Sequence, residues 1–326
     1  MNQPLVRAIY RSVRIPGLIA PNDTAHVKIH YPAVFTNSDL ERNTGLLPIV
    51  QDGVPFPVVL LLPGINVGPE GFGWLARSLC ARGLVVVSYS LIGEELPGQI
   101  SLTPGIDIMA LVPDAYGTRP SALTLGPILA ELAQCNQSGV LAGRLNLDQI
   151  AFGGHSAGGT VALLNANPNW FSGVCCAFAY GAHTAAASML GYPKGSMNAI
   201  SDKTPVLIIG GTHDGVIAES AGRYGDLEGD ATGRVIATFE QAVTRNKGDS
   251  VLAILDGANH FAIIDPRDDT TGRAFLDHSN TSVYARDTLD ALIWAFLARV
   301  MALKGGDAAW DRVKGRGDVF AKFRTK

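Results

Sequence analysis

The chain has 326 residues, of which 47% are hydrophobic and 17% charged, and its formal net charge is -3 at pH 7. This hydrophobic content excludes a disordered chain and supplies a large core, while the small net charge disfavours nucleic acid as a partner. No linker, repeat or low-complexity tract divides the sequence, so we predict a single domain over residues 1–326.

The amino-terminal segment, residues 1–20, carries Arg7, Arg11 and Arg14 and lacks the continuous apolar stretch of a secretory signal peptide. The four cysteines have no metal-ligand spacing with histidine. No apolar run is long enough to be a membrane span. The sequence therefore predicts a cytoplasmic protein with no integral membrane segment, no metal and no cofactor.

Short apolar runs alternate with helical segments along the chain. The runs that we predict as strands are residues 27–31, 58–62, 84–89, 150–154, 173–179, 205–210 and 251–255. Helices are predicted at residues 74–82, 160–166 and 284–303. Because uninterrupted apolar strands are buried on both faces, their alternation with helices predicts an α/β fold with a mostly parallel sheet.

Three stretches match no such element: residues 91–122, 216–233 and 265–281. Each follows a predicted strand at its carboxyl end, where open α/β sheets bind ligands. We therefore predict that all three form walls of a substrate pocket, with 91–122 and 216–233 as its insertions, the alternative being surface insertions without function. The basic segment 304–326 is predicted to be a helix packed on the body, with a docking or oligomer contact as the alternative.

The most specific pattern follows the predicted strand at 150–154. The sequence Gly154-His155-Ser156-Ala157-Gly158 has the Gly-x-Ser-x-Gly spacing of a nucleophile elbow, in which the serine lies on a cramped turn between a strand and a helix. A serine that only caps the helix is the alternative. We interpret Ser156 as the candidate nucleophile and His155 as a packing or hydrogen-bonding residue beneath the elbow.

A serine hydroxyl becomes a strong nucleophile when a base accepts its proton and an acid orients that base. Asp214 and His260 each come just after a predicted strand, in the order Ser, Asp, His that nucleophile-elbow enzymes follow. Asp256 and Asp265 are nearer to His260 in sequence and are rival acids. We predict the triad Ser156, Asp214 and His260, because Asp256 falls on the wrong side of its turn.

Two backbone N–H groups are needed to stabilise the oxyanion of an acyl-transfer reaction. One comes from the residue after the nucleophile and the other from the loop after the third strand, which indicates Ala157 and Ile65. We predict Asn66, His183 and Phe261 as pocket residues, since each lies beside a predicted site residue or at a strand end. A turn-stabilising role for Asn66 is equally compatible with the pattern.

Taken together, these motifs resemble the α/β-hydrolase superfamily, and over most of the chain its branch of cutinase-like polyester hydrolases, chlorophyllases and dienelactone hydrolases. The matching segments are residues 30–32, 62–64, 82–87, 154–159, 209–214 and 257–261. Ser156 stands where dienelactone hydrolases have a cysteine. The resemblance implies an α/β-hydrolase fold with helices on both faces of the sheet and a serine esterase that acts through an acyl-enzyme.

The predicted function is a carboxylic ester hydrolase that acts on a small-molecule ester. The predicted pocket walls are rich in Leu, Ile, Ala, Pro and Met, as in residues 106–112, and this favours an ester with a bulky or apolar group. The alternatives are a chlorophyllase-like esterase and an acyltransferase that passes the acyl group to an alcohol or amine. A non-catalytic ligand-binding homologue is disfavoured, because serine, aspartate and histidine are all present.

Overall fold

A computed structural model describes residues 5–53, 55–96, 98–225, 229–273, 276 and 283–326. The strands of the described chain are β1 (Leu5–Arg14), β2 (Thr24–Ala33), β3 (Phe56–Leu62), β4 (Val85–Ser90), β5 (Ile92–Leu96), β6 (Gln99–Leu102), β7 (Leu145–His155), β8 (Val174–Tyr180), β9 (Val206–Gly211), β10 (Val251–Leu255) and β11 (Phe320–Thr325). Its α-helices are α1 (Asp39–Thr44), α2 (Gly73–Cys80), α3 (Leu125–Cys135), α4 (Ala157–Asn165), α5 (Gly215–Glu219), α6 (Gly233–Ala237), α7 (Val283–Val300) and α8 (Gly306–Lys314).

A large, mostly parallel sheet forms the centre of this α/β protein. Its strand order is β1-β2-β4-β3-β7-β8-β9-β10-β11. Neighbours from β4 to β10 are parallel, whereas β1, β2 and β11 pair antiparallel at the two edges. The parallel strands β3, β4, β7, β8, β9 and β10 therefore all end at the same edge of the sheet, and the loops that follow them meet there.

Helices cover both faces of the sheet, as the side-chain alternation of β3 illustrates. Leu60 and Leu62 belong to one buried cluster, which also takes side chains of α3, α4 and α6. Val59 and Leu61 point to the opposite face and join a second cluster with side chains of α2, α7 and α8. All four side chains are at most 1% exposed, so β3 is apolar throughout because both of its faces are core.

Each of the seven predicted strands corresponds to an observed strand, with bounds that differ by a few residues. The edge strand β1 was not predicted, because only alternate residues such as Ile9 and Val13 are buried and arginines lie between them. Helix α3 was also not predicted, although Leu125, Ile128 and Leu132 have helical spacing and are fully buried.

The expectation that residues 91–122 and 216–233 contain no regular element was wrong. The first stretch contains the β5–β6 hairpin and a 3₁₀ turn at Ile108–Leu111, and the second overlaps α5 and a 3₁₀ turn at Ser220–Tyr224. These elements are only four or five residues long, too short for a periodic pattern to be read from sequence. Residues 97, 226–228, 274–275 and 277–281 of the predicted pocket stretches lie outside the described part of the chain.

The carboxyl-terminal segment 304–326 is a helix followed by a strand, not a helix alone. After α8, β11 pairs antiparallel with β10 and extends the sheet. Its Phe323 ring lies 5.9 Å from the Trp310 ring of α8. The side-chain ammonium of Lys326 donates to the carbonyls of Glu240 and Val243 at 3.0 and 2.6 Å. This basic residue therefore caps the end of the helical turn at Thr238–Ala242.

Among the described helices, none combines the length and the apolar character that a membrane crossing requires.

Candidate active site

Ser156 occupies a strained turn between β7 and α4. Its φ and ψ are 54° and -126°, a conformation that a residue with a side chain rarely adopts and that costs about 1–3 kcal/mol. Two glycines permit the turn: a Cβ on Gly154 would lie 2.3 Å from the Gly158 oxygen, and one on Gly158 would lie 2.3 Å from the Leu62 oxygen. The Ser156 N–H donates to the Tyr180 carbonyl at 3.0 Å, which ties the turn to β8.

Asp214 and His260 form a buried hydrogen-bonded pair. His260 Nδ1 donates to Asp214 Oδ2 at 2.9 Å, and the two side chains are 2% and 1% exposed. The other carboxylate oxygen of Asp214 accepts the Ile217 N–H at 2.8 Å, as the N-cap of α5. The cap therefore fixes the carboxylate, and the carboxylate keeps the Nδ1–H tautomer of His260, which leaves Nε2 as a proton acceptor.

The pair packs against the backbone of Gly181, directly after β8. A Cβ at this position would lie 2.9 Å from His260 Nδ1 and 3.1 Å from Asp214 Oδ2, and the φ of Gly181 is +59°. Gly181 was not among the predicted site residues. Its signal is a glycine at the end of a fully apolar strand, where close backbone approach is common.

The two rival acids have other partners. Asp256 is exposed and accepts the Thr212 hydroxyl at 3.1 Å. Asp265 pairs with Arg286 at 2.8 Å. Asp214 is therefore the carboxylate that the fold brings to His260 Nδ1, although it is the most distant of the three along the chain.

The residue that precedes Ser156 lies against this pair. The ring of His155, the preceding residue, is 4.7 Å from the His260 ring.

The two candidate oxyanion donors lie on adjoining backbone segments. Ile65 is in a turn that is closed by a hydrogen bond from the Val67 N–H to the Gly64 carbonyl at 3.2 Å. Ala157 is the first residue of α4, so its N–H has no acceptor within the helix and lies at the positive end of the helix dipole. The next residue, Gly158, touches the backbone of Leu62 just before the Ile65 turn.

Asn66 connects this turn to the hairpin. Its N–H donates to the Leu102 carbonyl at 3.0 Å, and its Oδ1 accepts the Leu102 N–H at 3.2 Å. Asn66 and Phe261 line a cavity of about 330 Å³, to which Leu102 and the charged side chains of Arg267 and Asp268 also contribute. Two of the three predicted pocket residues therefore border one cavity, which has both apolar and charged walls.

His183, the third predicted pocket residue, is packed into the protein. It is 5% exposed, its Nε2 lies 3.4 Å from Arg234 Nε, and its ring meets the edge of Tyr224 at 4.5 Å. Burial, followed by the charges of Arg234 and His260, lowers the pKa of His183 to about 3. Tyr224 and Arg234, which were not among the predicted site residues, line a second cavity of about 580 Å³.

His155 is buried beneath the elbow, as the sequence analysis expected of it. Its Nε2 lies 3.0 Å from the carbonyl oxygen of His260. Burial, together with the charge of His260, holds the pKa of His155 well below its usual value, so the ring stays neutral.

The site combines a buried Asp214–His260 pair with a serine on a strained turn and two candidate backbone donors. Among the described residues, no group of three or more His, Cys, Asp or Glu side chains is placed to hold a metal ion. No protein-family model matches this sequence, and no curated protein is significantly similar to it.

Proposed function

We propose that this chain is a serine hydrolase of carboxylic esters with an α/β-hydrolase fold. The observation that carries the proposal is the buried 2.9 Å hydrogen bond from His260 to Asp214, beside a serine on a strained strand-to-helix turn. The occurrence of serine, aspartate and histidine after three strands of one parallel sheet, in that chain order, supports the fold assignment.

In the proposed mechanism, His260 Nε2 accepts the Ser156 proton while Ser156 Oγ attacks the ester carbonyl carbon. The N–H groups of Ile65 and Ala157 stabilise the resulting oxyanion. Collapse breaks the bond to the alcohol, which leaves with the proton from His260, and an acyl-enzyme remains. Water repeats the sequence and releases the carboxylic acid, while Asp214 orients and stabilises the imidazolium throughout.

An apolar ester is the proposed substrate class. Large hydrophobic side chains are exposed in the segments that follow the carboxyl ends of β3, β4 and β8. They are Ile65, Ile92, Ile100, Met109 and Met189. Single exposed apolar residues are ordinary, but their recurrence in segments that follow strands of the parallel sheet supports a binding surface for apolar groups. The charged side chains that line the cavity beside Phe261 call for polar esters in the same test panel.

A fluorophosphonate probe tests the proposal, because it reacts with a serine that has been activated. We expect one covalent adduct on the intact protein, located on Ser156 by peptide mass spectrometry, and none on Ser156→Ala. An adduct on another serine, or no adduct on the folded wild-type protein, would refute the function.

Esters of graded chain length and polarity then identify the substrate class. Hydrolysis should be fastest for apolar acyl or alcohol groups, and product analysis in the presence of an added alcohol separates hydrolysis from acyl transfer. A preference for short charged esters would reject the apolar assignment while leaving the hydrolase itself intact.

A further inference from the structure

Two buried side chains hold consecutive backbone carbonyls in the loop that carries His260. Tyr180 Oη donates to the Asn259 carbonyl at 2.5 Å. His155 Nε2 donates to the His260 carbonyl at 3.0 Å, since a carbonyl oxygen can only accept. Tyr180 and His155 are 0% and 1% exposed. They are also direct neighbours in the parallel register of β7 and β8, so two adjacent strand ends hold one loop.

An apolar ring at position 155 would avoid the free-energy cost of burying the second ring nitrogen of His155. Nδ1 is buried and has no hydrogen-bond partner among the described residues. It faces Gly64, where an added Cβ would lie 2.9 Å away. A buried acceptor without a partner costs about 1–3 kcal/mol. What histidine adds over a hydrocarbon ring of similar size is therefore the single donor, Nε2–H, that reaches the His260 carbonyl.

The neutral state of His155 suits this task. Its ring lies 4.7 Å from the His260 ring, so a charge on it would oppose the positive charge that His260 acquires when it accepts a proton. Burial keeps His155 neutral. The ring can then donate its hydrogen bond without adding a second charge beside His260.

We propose that His155 and Tyr180 are positioning residues, which hold the Asn259–His260 backbone so that the His260 imidazole stays between Asp214 and Ser156. This inference rests on the proposed function of Ser156 and His260. The hydroxyl of Tyr180 and the Nε2–H of His155 both bond to backbone behind the imidazole, so they act on the reaction only through His260.

Three single variants and one double variant test the pair: Tyr180→Phe, His155→Phe, His155→Gln, and Tyr180→Phe with His155→Phe. Removal of either donor should lower kcat by about tenfold, the effect of one hydrogen bond, with KM changed less than twofold. His155→Gln retains an N–H donor and should recover part of the loss. Because both donors hold one loop, the double variant should lose less than the product of the single losses.

Matched controls are available elsewhere in the sheet. Tyr31 is also buried and donates its hydroxyl to one backbone carbonyl, that of Leu47 at 2.7 Å. His30 is also buried, with an Nδ1 that has no partner among the described residues. Tyr31→Phe and His30→Phe should keep the wild-type kcat. They should lower thermal stability as much as, or more than, the variants at Tyr180 and His155. Tyr180→Phe removes a single oxygen atom, so it carries the test if substitutions at 155 reduce folding.

A readout that does not need turnover separates this inference from the proposed function. The proton on His260 Nδ1, hydrogen-bonded to Asp214, can be followed by NMR in the unliganded protein. Its resonance should move or broaden in Tyr180→Phe and His155→Phe but not in Tyr31→Phe. A wild-type protein with no labelling at Ser156 would refute the hydrolase. An active wild type, with kcat and the resonance unchanged in Tyr180→Phe and His155→Phe, would overturn the positioning role alone.

Discussion

The candidate site is built from two regions that are held in different ways. The floor consists of the proposed triad Ser156, Asp214 and His260 with the strand ends that carry it, and its aspartate and histidine are at most 2% exposed. The outer wall consists of the β5–β6 hairpin and residues 265–273. Hairpin residues Ile92 and Ile100 are 50% and 66% exposed. The proposed reactive groups lie where the sheet determines their position, whereas the groups proposed to select a substrate lie on segments with few buried contacts.

Loss of the floor nucleophile should have the largest effect. Ser156→Ala is expected to lower ester turnover by several orders of magnitude, and His260→Ala should be similarly damaging, because the members of a triad act as a unit. The double variant should be no slower than the worse single one, as measured by kcat on the best ester of the panel. A double variant far slower than both would argue that the two residues act independently.

Neutralisation of the acid should have the next largest effect. Asp214→Asn is expected to lower kcat by about 10⁴-fold, because the amide favours the wrong tautomer of His260. Asp256→Asn is the matched control, since it makes the same change on a carboxylate bonded to Thr212, and it should cost far less. The reverse ranking of the two variants would refute the assignment of Asp214.

The folded protein should also become less stable in acid. The pKa of His183 is lowered to about 3 in the folded protein, mainly by burial, and is about 6.5 when unfolded. The unfolded chain therefore binds the proton first, and stability is lost as the pH falls from about 6.5 towards 3. At pH 5 the resulting loss in the free energy of unfolding is about 2 kcal/mol.

Urea unfolding of wild type and His183→Gln at pH 7.5 and 5 measures this contribution. The variant should lose less stability on acidification than the wild type. His26→Gln makes the same chemical change at an exposed histidine of β2 and serves as the control. If the wild type and His183→Gln lost the same free energy of unfolding between pH 7.5 and 5, burial of His183 would not explain the acid sensitivity.

A change in the outer wall should have the smallest effect on kcat and the clearest effect on substrate preference. Replacement of residues 93–101 by a short turn removes the tip of the hairpin and keeps Leu102, which bonds to Asn66. We expect the ratio of kcat/KM for long and short esters to shift several-fold, while the free energy of unfolding changes by about 1 kcal/mol or less. An unchanged substrate profile would remove the hairpin from the substrate site.

Local sequence patterns were sufficient for much of the fold and for the candidate side chains. The parallel strands were predictable because each is a continuous apolar run buried on both faces. The elbow was predictable because the glycines that permit the turn lie within two residues of Ser156. These features depend on residues close together in the chain, which a pattern can register.

Tertiary structure decided which distant groups meet, and for Asp214 it agrees with the choice made from chain order. Asp214, 46 residues from His260, became its partner, whereas the nearer Asp256 did not. The contact of Gly181 with that pair and the two hydrogen bonds from His155 and Tyr180 likewise join separate strands and loops. Their common physical reason is that parallel strands end at one edge of the sheet, so side chains far apart in sequence become neighbours only when the sheet has formed.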